Sequence, residues 1–454
     1  MAKAKKSVLQ TMSSPVLETE ISIDVPNNWK WARLIQVYNF IDYRGKTPTK
    51  IEKGIPLVTA KNIRKGYLDY SIAEYISEEE YKKRQTRGIS HCGDILFTTE
   101  APMGNVAIAD LDVFSAGQRV ITFQKYAHTN WANNKFYYYY ILSEWFQGEL
   151  DRQKTGSTVA GIKAEKLMRF PVPVPPITEQ QRIVDRIESL FAKLDEAKEK
   201  AQAVVDGFED RKAAILHKAF TGELTTEWRK KNSVGNNSWE LLTFDDCIDV
   251  MQNGISKRKG DYGEPYIVLR LANLSDDGFD EDDLREILLD EKEQNNYELK
   301  SDDVLMIRVN GSKDNVGKQY HITDQKHWAF CDHIIRIRYA NSIMPKYMVL
   351  FSQSEVYRQY IEDNMVSSAG QNTISRKGMA RLQIPMPKKD EQAEIIAILT
   401  RLFEKERQVK EAAEQVIDQI DAMKKSVLAR AFRGELGTND PVDESAEELL
   451  KRIL

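Results

Sequence analysis

The sequence repeats itself. AFTGEL at 219–224 returns as AFRGEL at 431–436, which sets Phe220 and Phe432 212 positions apart, and PVPVPPITEQQRI at 171–183 returns as IPMPKKDEQAEI at 384–395, with Gln180 and Gln392 again 212 apart. Self-similarity at one period means two copies of one structural unit, so any fold has to be argued once and applied twice. Elsewhere the offset drifts: Trp29 to Trp239 is 210, Asp94 to Asp303 is 209 and Gly156 to Gly370 is 214. One part of each copy holds a fixed length while the other varies.

The fixed part is a long helix. In the first copy Pro175 and Pro176 precede Thr178, an N-cap with Gln181 placed for a capping box. Apolar residues follow at Ile183, Ile187, Leu190, Leu194, Ala197, Ala201, Val204 and Phe208, in the alternating steps of four and three that make a coiled-coil seam. The second copy, beginning after Asp390 as N-cap, places Ile395, Leu399, Leu402, Glu406, Val409, Ala413, Val416, Ile420 and Met423 in the same register. Arms of this length span roughly 60 Å. Antiparallel pairing of the two arms buries both stripes and sends the globular parts to opposite ends; packing of each stripe on its own globular part or on a partner protein is the alternative. Four heptads exceed what a small domain covers, which favours mutual pairing. Glu406 breaks the seam and calls for water or a basic neighbour.

The variable parts read as mixed α and β. IPLVTA (55–60), GDILFTT (93–99) and VITFQ (120–124) are strand-like runs between Gly, Asn and charged turns, and a helix follows at FYYYYILSEWFQGEL. The order recurs as EPYIVLRL (264–271), DVLMIRV (303–309), HIIRIRY (333–339) and the helix KYMVLFSQSEVYRQYI. The expected class is therefore α+β: two globular domains in tandem repeat, separated by two long helices pairing as an antiparallel coiled coil. The segments are an N-terminal arm (1–24), a first globular domain (25–177), a first helical spacer (178–230), a second globular domain (231–389), a second spacer (390–437) and a short amphipathic tail helix (438–454).

Composition narrows the function. Hydrophobic residues make up 41% and charged residues 30%, without an apolar run long enough for a membrane span. The basic opening MAKAKK lacks the apolar stretch of a secretory signal. Cys92, Cys247 and Cys331 form no CxxC pair, which fits a reducing cytoplasm. A net charge of −4 argues against nonspecific coating of nucleic acid, but residues 30–169 hold 21 Lys and Arg against 15 Asp and Glu, whereas 240–382 hold 18 against 25. The two domains are electrostatically unlike.

Thr155, Gly156 and Ile162 before FPVPVPP, then Glu179, Gln180, Ile183, Phe220, Gly222, Glu223 and Leu224, are answered by Gly370, Ile374, Ile384, Pro385, Pro387, Glu391, Gln392, Ile395, Phe432, Gly434, Glu435 and Leu436. In these paired motifs the chain resembles the specificity subunits of type I restriction-modification enzymes over nearly its whole length. It departs from them where TGSTVAGI lacks the Gln-Asn of SAGQNTI, and where Lys388-Lys389 replaces a second Pro-Pro. The resemblance implies a non-catalytic DNA-specificity subunit whose two domains each read half of a bipartite, asymmetric target with a nonspecific spacer. It implies as partners double-stranded DNA, two methyltransferase subunits and nuclease-translocase (restriction) subunits. No cofactor is implied for this chain; S-adenosylmethionine, ATP and magnesium would belong to the partners. The repeated helix-start and helix-end residues Glu179, Gln180, Phe220, Leu224, Glu391, Gln392, Phe432 and Leu436 would dock the methyltransferases. Geometry agrees, since two readers held apart by a fixed spacer suit half-sites about one helical turn, roughly 34–36 Å, apart. A scaffold whose two domains bind proteins is the alternative.

Contacts to DNA want Arg, Lys, Asn, Gln and small hydroxyls on loops. DYRGKTPTK offers Arg44, Lys46, Thr47 and Lys50, and TTEAPMGN offers Thr98, Thr99 and Asn105. In the second copy NGISKRKGDYG offers Lys257, Arg258 and Lys259, and RVNGSKDN offers Arg308, Asn310, Ser312 and Lys313. Enzyme readings fare worse. GSKDNVGKQ has the wrong glycine spacing for a phosphate loop and Gln319 where Ser or Thr should hold magnesium. Neither a glycine-rich cofactor loop nor an Asn/Asp-Pro-Pro-aromatic motif for adenine methylation occurs. LLDEKEQ is an exposed acidic stretch, His91 and His333 stand singly, and the tyrosine run 137–140 is expected to pack the core.

Overall fold

Ile95–Phe97 is apolar without alternation, as a strand buried on both faces must be. In the computed structural model, which describes residues 14–43, 47–129, 131–156, 160–235, 238–275 and 278–447, Ile95 and Phe97 face one core while Leu96 faces a second. The second copy repeats this, Val304 and Met306 in one core and Leu305 and Ile307 in the other.

The first domain contains β1 (Lys30–Arg33), β2 (Tyr38–Asp42), β3 (Ile55–Val58), β4 (Tyr75–Ile76), β5 (Ile95–Thr98), β6 (Val106–Ile108), β7 (Ser115–Ala116), β8 (Val120–Lys125) and β9 (Pro171–Val174). They form an antiparallel sheet ordered β2-β8-β5-β6, a smaller sheet β4-β3-β7 and the pair β1-β9. The second domain has β10 (Glu240–Thr243), β11 (Ile248–Asn253), β12 (Glu264–Leu269), β13 (Leu274–Ser275), β14 (Gly278–Phe279), β15 (Glu286–Leu289), β16 (Val304–Ile307) and β17 (Val309–Asn310). It continues with β18 (Gln319–His321), β19 (Trp328–Phe330), β20 (Ile334–Tyr339), β21 (Val366–Ser368), β22 (Gln371–Thr373) and β23 (Gln383–Met386). The orders β11-β20-β16-β18, β15-β12-β19 and β10-β23 match the first domain strand for strand, and β17-β22-β21 and β13-β14 are additions.

Each single helix expected after the sheet is two helices, Asn134–Leu142 with Glu144–Gln153 and Pro345–Phe351 with Glu355–Asn364. Serines make the breaks: the Ser143 and Ser354 hydroxyls donate to the carbonyls of Tyr140 and Phe351, competing with the helical ladder. Tyr137, Tyr139 and Tyr140 are buried, so the tyrosine run packs the core.

Internal packing divides the chain into two units that are not its sequence halves. One takes the chain up to Ala201 together with the stretch from Gln415 onward, and the other is Gln202–Glu414. The helix ends explain why. Phe432 of the second AFxGEL motif is fully buried in the first domain's core, edge-on to Phe136 and Tyr140 at 5.4 and 5.1 Å. Phe220 of the first motif sits edge-on to Tyr347 and Phe351 of the second domain at 5.4 and 5.1 Å. Phe136 and Tyr347, like Tyr140 and Phe351, are 211 positions apart, so the two plugs are equivalent. Each domain is completed by the helix end of the other repeat.

The arms run antiparallel within each unit. In the first, Asp195 pairs with Lys424 and Lys198 with Asp421. In the second, Arg211 pairs with Glu406 at 2.7 Å, Lys212 lies over the Phe403 ring and Lys410 over Phe208. The seam irregularity at Glu406 thus has its basic partner. The second arm is one helix, Lys389–Ala431, but the first is Ile177–Asp206 and Phe208–Phe220, interrupted at Gly207. There the Arg211 guanidinium takes the Val204 carbonyl, and a Cβ on Gly207 would lie 2.8 Å from that guanidinium.

Of the seam residues, Ile183, Ile187, Ile395, Leu399 and Ile420 are buried and Leu190, Leu194, Val204, Phe208 and Leu402 partly so. Val409 and Val416 do not close the seam, being 49% and 40% exposed. Two helices alone leave one flank of each stripe uncovered, whereas the small seam residues Ala201 and Ala413 are buried as expected. The expected caps also differ. Thr178 and Asp390 lie inside helices that start at Ile177 and Lys389, the Thr178 hydroxyl donates to Asp443, and Gln181 bonds Asn133 and Asp185. Among the described residues no helix is long and apolar enough to cross a membrane.

Removing either plug leaves a large cavity. Phe432→Ala and Phe220→Ala are each expected to cost about 3 kcal/mol or more in denaturant unfolding. Hydrogen exchange separates them: Phe432→Ala accelerates exchange in 134–153 and Phe220→Ala in 345–364, whereas a helix end packed on its own repeat would give the reverse.

Candidate nucleic-acid interface

In the first domain the loops at one end of the central sheet are tied together by backbone bonds. The Thr99 amide and hydroxyl both donate to the Arg119 carbonyl, at 2.9 and 3.2 Å, and the Thr99 carbonyl accepts from Ile162. Glu100 bridges to Gly161, which in turn bridges to Thr155. Thr47 is exposed and donates to the Gln118 side chain at 3.0 Å. Loops at 47–50, 99–104 and 117–119 and the residues Thr155, Gly161 and Ile162 thereby converge. Arg44 and Lys46 lie outside the described residues, and Lys50 is paired with Glu74 at 2.7 Å.

Thr98 and Thr99 do not present their hydroxyls at the surface. Both are buried, and their hydroxyls are spent on the Asn105 and Arg119 carbonyls, because β5 continues through the sheet's interior to this point. Asn105 is half-buried, its side chain donating to the Ile63 carbonyl. What these residues support is the turn Gly117-Gln118-Arg119, which sequence reasoning missed. Arg119 is half-exposed and paired through Nε with Glu100 Oε1 at 2.9 Å. The signal was available: Gly117-Gln118-Arg119 and Cys331-Asp332-His333 both immediately precede an equivalent strand, at an offset of 214.

In the second domain, Arg258 pairs with Asp332 at 3.2 Å, the Arg308 amide donates to the His333 carbonyl, and its guanidinium donates to the Asp332 carbonyl. Lys257 is paired with Glu293 and stacked on Tyr262. Lys259 and Lys313 are exposed, with no ion pair among the described residues. Asn310 lies in β17 opposite Asn372 of β22, and its side chain accepts from the exposed Ser312 amide. The motif SAGQNTI is the β21–β22 hairpin, whose two-residue turn needs the positive φ of Ala369 and Gly370, 46° and 77°. Asn372 fastens the hairpin to the Gly311 carbonyl. Cys331, Asp332 and His333 bring three potential metal ligands within 4.8 Å of one another, but burial pushes the Cys331 thiol up and Arg258 holds the Asp332 carboxylate. The group suits an arginine better than a metal ion.

Two domains of one topology, each with a cluster of polar loops of different chemistry at the same place, match a family model described as the type I restriction modification DNA specificity domain, over residues 26–205 and again over 239–418. The chain belongs to this family. The StySPI specificity subunit of Salmonella potsdam is 28% identical over 91% of this chain and 90% of its own length. The EcoKI specificity subunit of Escherichia coli K12 is 25% identical over 84% and 82%. The HsdS subunit from Thermoanaerobacter tengcongensis has the same fold, with a TM-score of 0.58 at 18% identity over 92% of this chain and all of that one. A chain of a type I R-M system complex gives 0.64 at 19% identity over 91% and 99%.

In this specificity subunit the residues expected to dock a partner make contacts within the chain. Gln180 accepts from the Asn133 amide and donates to the Pro175 carbonyl, and Gln392 does the same with the Met344 amide and the Pro387 carbonyl. Phe220 and Phe432 are the buried plugs, with Leu224 and Leu436 packed beside them. Each helix start is thus bonded to the domain of its own repeat, and each helix end is packed into the domain of the other. The two acids differ. Glu391 is buried against Arg229 at 2.6 Å and Thr225 at 2.6 Å. Glu179 is buried with neutral donors, Trp29 Nε1 and Asn439 Nδ2, both at 2.8 Å and both on Oε2, and burial raises its carboxyl above the ordinary range.

A raised folded-state pKa means that the folded chain binds the proton more tightly than the unfolded one. Stability from Glu179 therefore rises as pH falls through its folded pKa and levels off below the ordinary carboxylate value. Glu179→Gln is expected to remove that slope while changing stability at pH 7 by about 1 kcal/mol or less. Glu391→Gln strands Arg229 and is expected to cost about 3 kcal/mol. Denaturant melts of both variants from pH 4 to 8 check the pair.

Proposed function

We propose that this chain selects the DNA sequence on which a type I restriction-modification complex acts, and performs no chemistry itself. The supporting observation is the pairing of identical topology with unlike loops: Gln118 and Arg119 stand in one domain where Asp332 and His333 stand in the other. Two copies of one reader with different polar edges suit a target of two different half-sites. The paired arms, equal in length between the repeats, hold the spacing. Exposed Lys259 and Lys313 supply phosphate contacts within an otherwise acidic second domain. Two methyltransferase subunits and the restriction subunits are the proposed partners, in the cytoplasm, and S-adenosylmethionine, ATP and magnesium serve those subunits.

Mapping methylated bases in cells that co-express the chain with its cognate methyltransferase subunits tests this. A two-part motif with a fixed nonspecific spacer is expected. Exchange of residues 25–170 for the corresponding domain of a relative should change one half of the motif and leave the other half and the spacer alone. A motif indifferent to the exchange contradicts the reading.

A further inference from the structure

We infer that Arg119 reads a guanine in the half-site of the first domain, with Glu100 as the residue that positions it. The inference rests on the proposed role in DNA selection and concerns one residue pair within it.

Both members of the pair are held by their backbones. The Arg119 carbonyl accepts two bonds from Thr99, Val120 next to it pairs with Thr98 in the sheet, and Gly117 is anchored to the Val58 carbonyl. Glu100 follows Thr99 directly and bridges to Gly161 on the opposite side. The side chains nevertheless remain open, 50% exposed for Arg119 and 44% for Glu100. An exposed ion pair of this kind contributes roughly 0–1 kcal/mol to stability, too little to explain such anchoring.

The atoms used point to recognition. The pair is made through Arg119 Nε, and among the described residues no carboxylate other than Glu100 is paired with this guanidinium. The Nη pair is the edge that meets O6 and N7 of guanine in the major groove, the commonest specific contact that arginine makes. A guanidinium already held by a carboxylate loses less freedom on binding than a free side chain. Glu100 also sets the ligand's charge. A phosphate brought to Arg119 would meet a carboxylate 2.9 Å from the guanidinium, whereas a base edge is neutral. Unpaired Lys259 and Lys313 have no such obstacle, so ion pairing separates base-directed from phosphate-directed cations.

The test is the base preference of the assembled methyltransferase complex. With Arg119→Ala, one guanine position in one half-site should lose about tenfold or more in discrimination, while the other half-site keeps its sequence. Arg119→Lys should retain a weaker guanine preference. Glu100→Gln should keep guanine but reduce its margin, with an unchanged melting temperature. Competition binding with duplexes substituted at each position gives the same ratios where methylation falls too low to map. An unchanged motif in Arg119→Ala, or weakening equal across all sequences as for a phosphate contact, overturns the assignment. Failure of the proposed function is distinct: the wild-type complex would then show no two-part motif.

Discussion

The structure depends on where two phenylalanines go. Phe432 and Phe220 end helices that start in one repeat, and each fills the aromatic core of the other repeat's domain, against Phe136 and Tyr140 or Tyr347 and Phe351. Burying a phenylalanine is among the largest single gains available to a core. It fixes the far end of each arm, as the Gln180 and Gln392 bonds fix the near end. A helix held at both ends has a defined direction, and its partner is then brought alongside it in antiparallel register. The weak, partly exposed seam at Val409 and Val416 can be tolerated because the seam does not have to hold the arms alone.

Much of this was legible in the chain. Strand runs such as Ile95–Phe97 and Val304–Ile307 announced themselves by unbroken apolar residues, and the break in the seam at Glu406 called for water or a basic neighbour, the second of which is Arg211. The exchange of helix ends was not legible, because AFTGEL and AFRGEL are equally suited to either aromatic pair, and pattern alone does not assign them. The helix breaks at Ser143 and Ser354 were hidden for a related reason: a serine within an apolar period is read as surface until its hydroxyl is seen to take the ladder's carbonyl.

Among the site residues, the sequence picked out loops at equivalent places in the two copies and assigned roles by residue type. Thr98 and Thr99 have the chemistry of DNA contacts, yet they continue a central strand and spend their hydroxyls on carbonyls. The arginine they support lies on a turn of three residues with no pattern of its own, visible only when the two copies are compared strand by strand. The acidic excess of the second domain proved equally uninformative about its loops, since Arg258 and Arg308 gather around Asp332 whatever the total charge.

The division into units carries a consequence for how the chain comes to be made. The unit Gln202–Glu414 is one contiguous stretch, whereas the other needs residues on both sides of it. During synthesis the second domain has all its parts once Glu414 has emerged. The first, although translated earlier, lacks Phe432 and the Asn439 donor to Glu179 until the ribosome has passed them. Vectorial synthesis ordinarily favours folding from the N-terminus; here the earlier-made domain keeps an open aromatic socket until the residues that close it have been made.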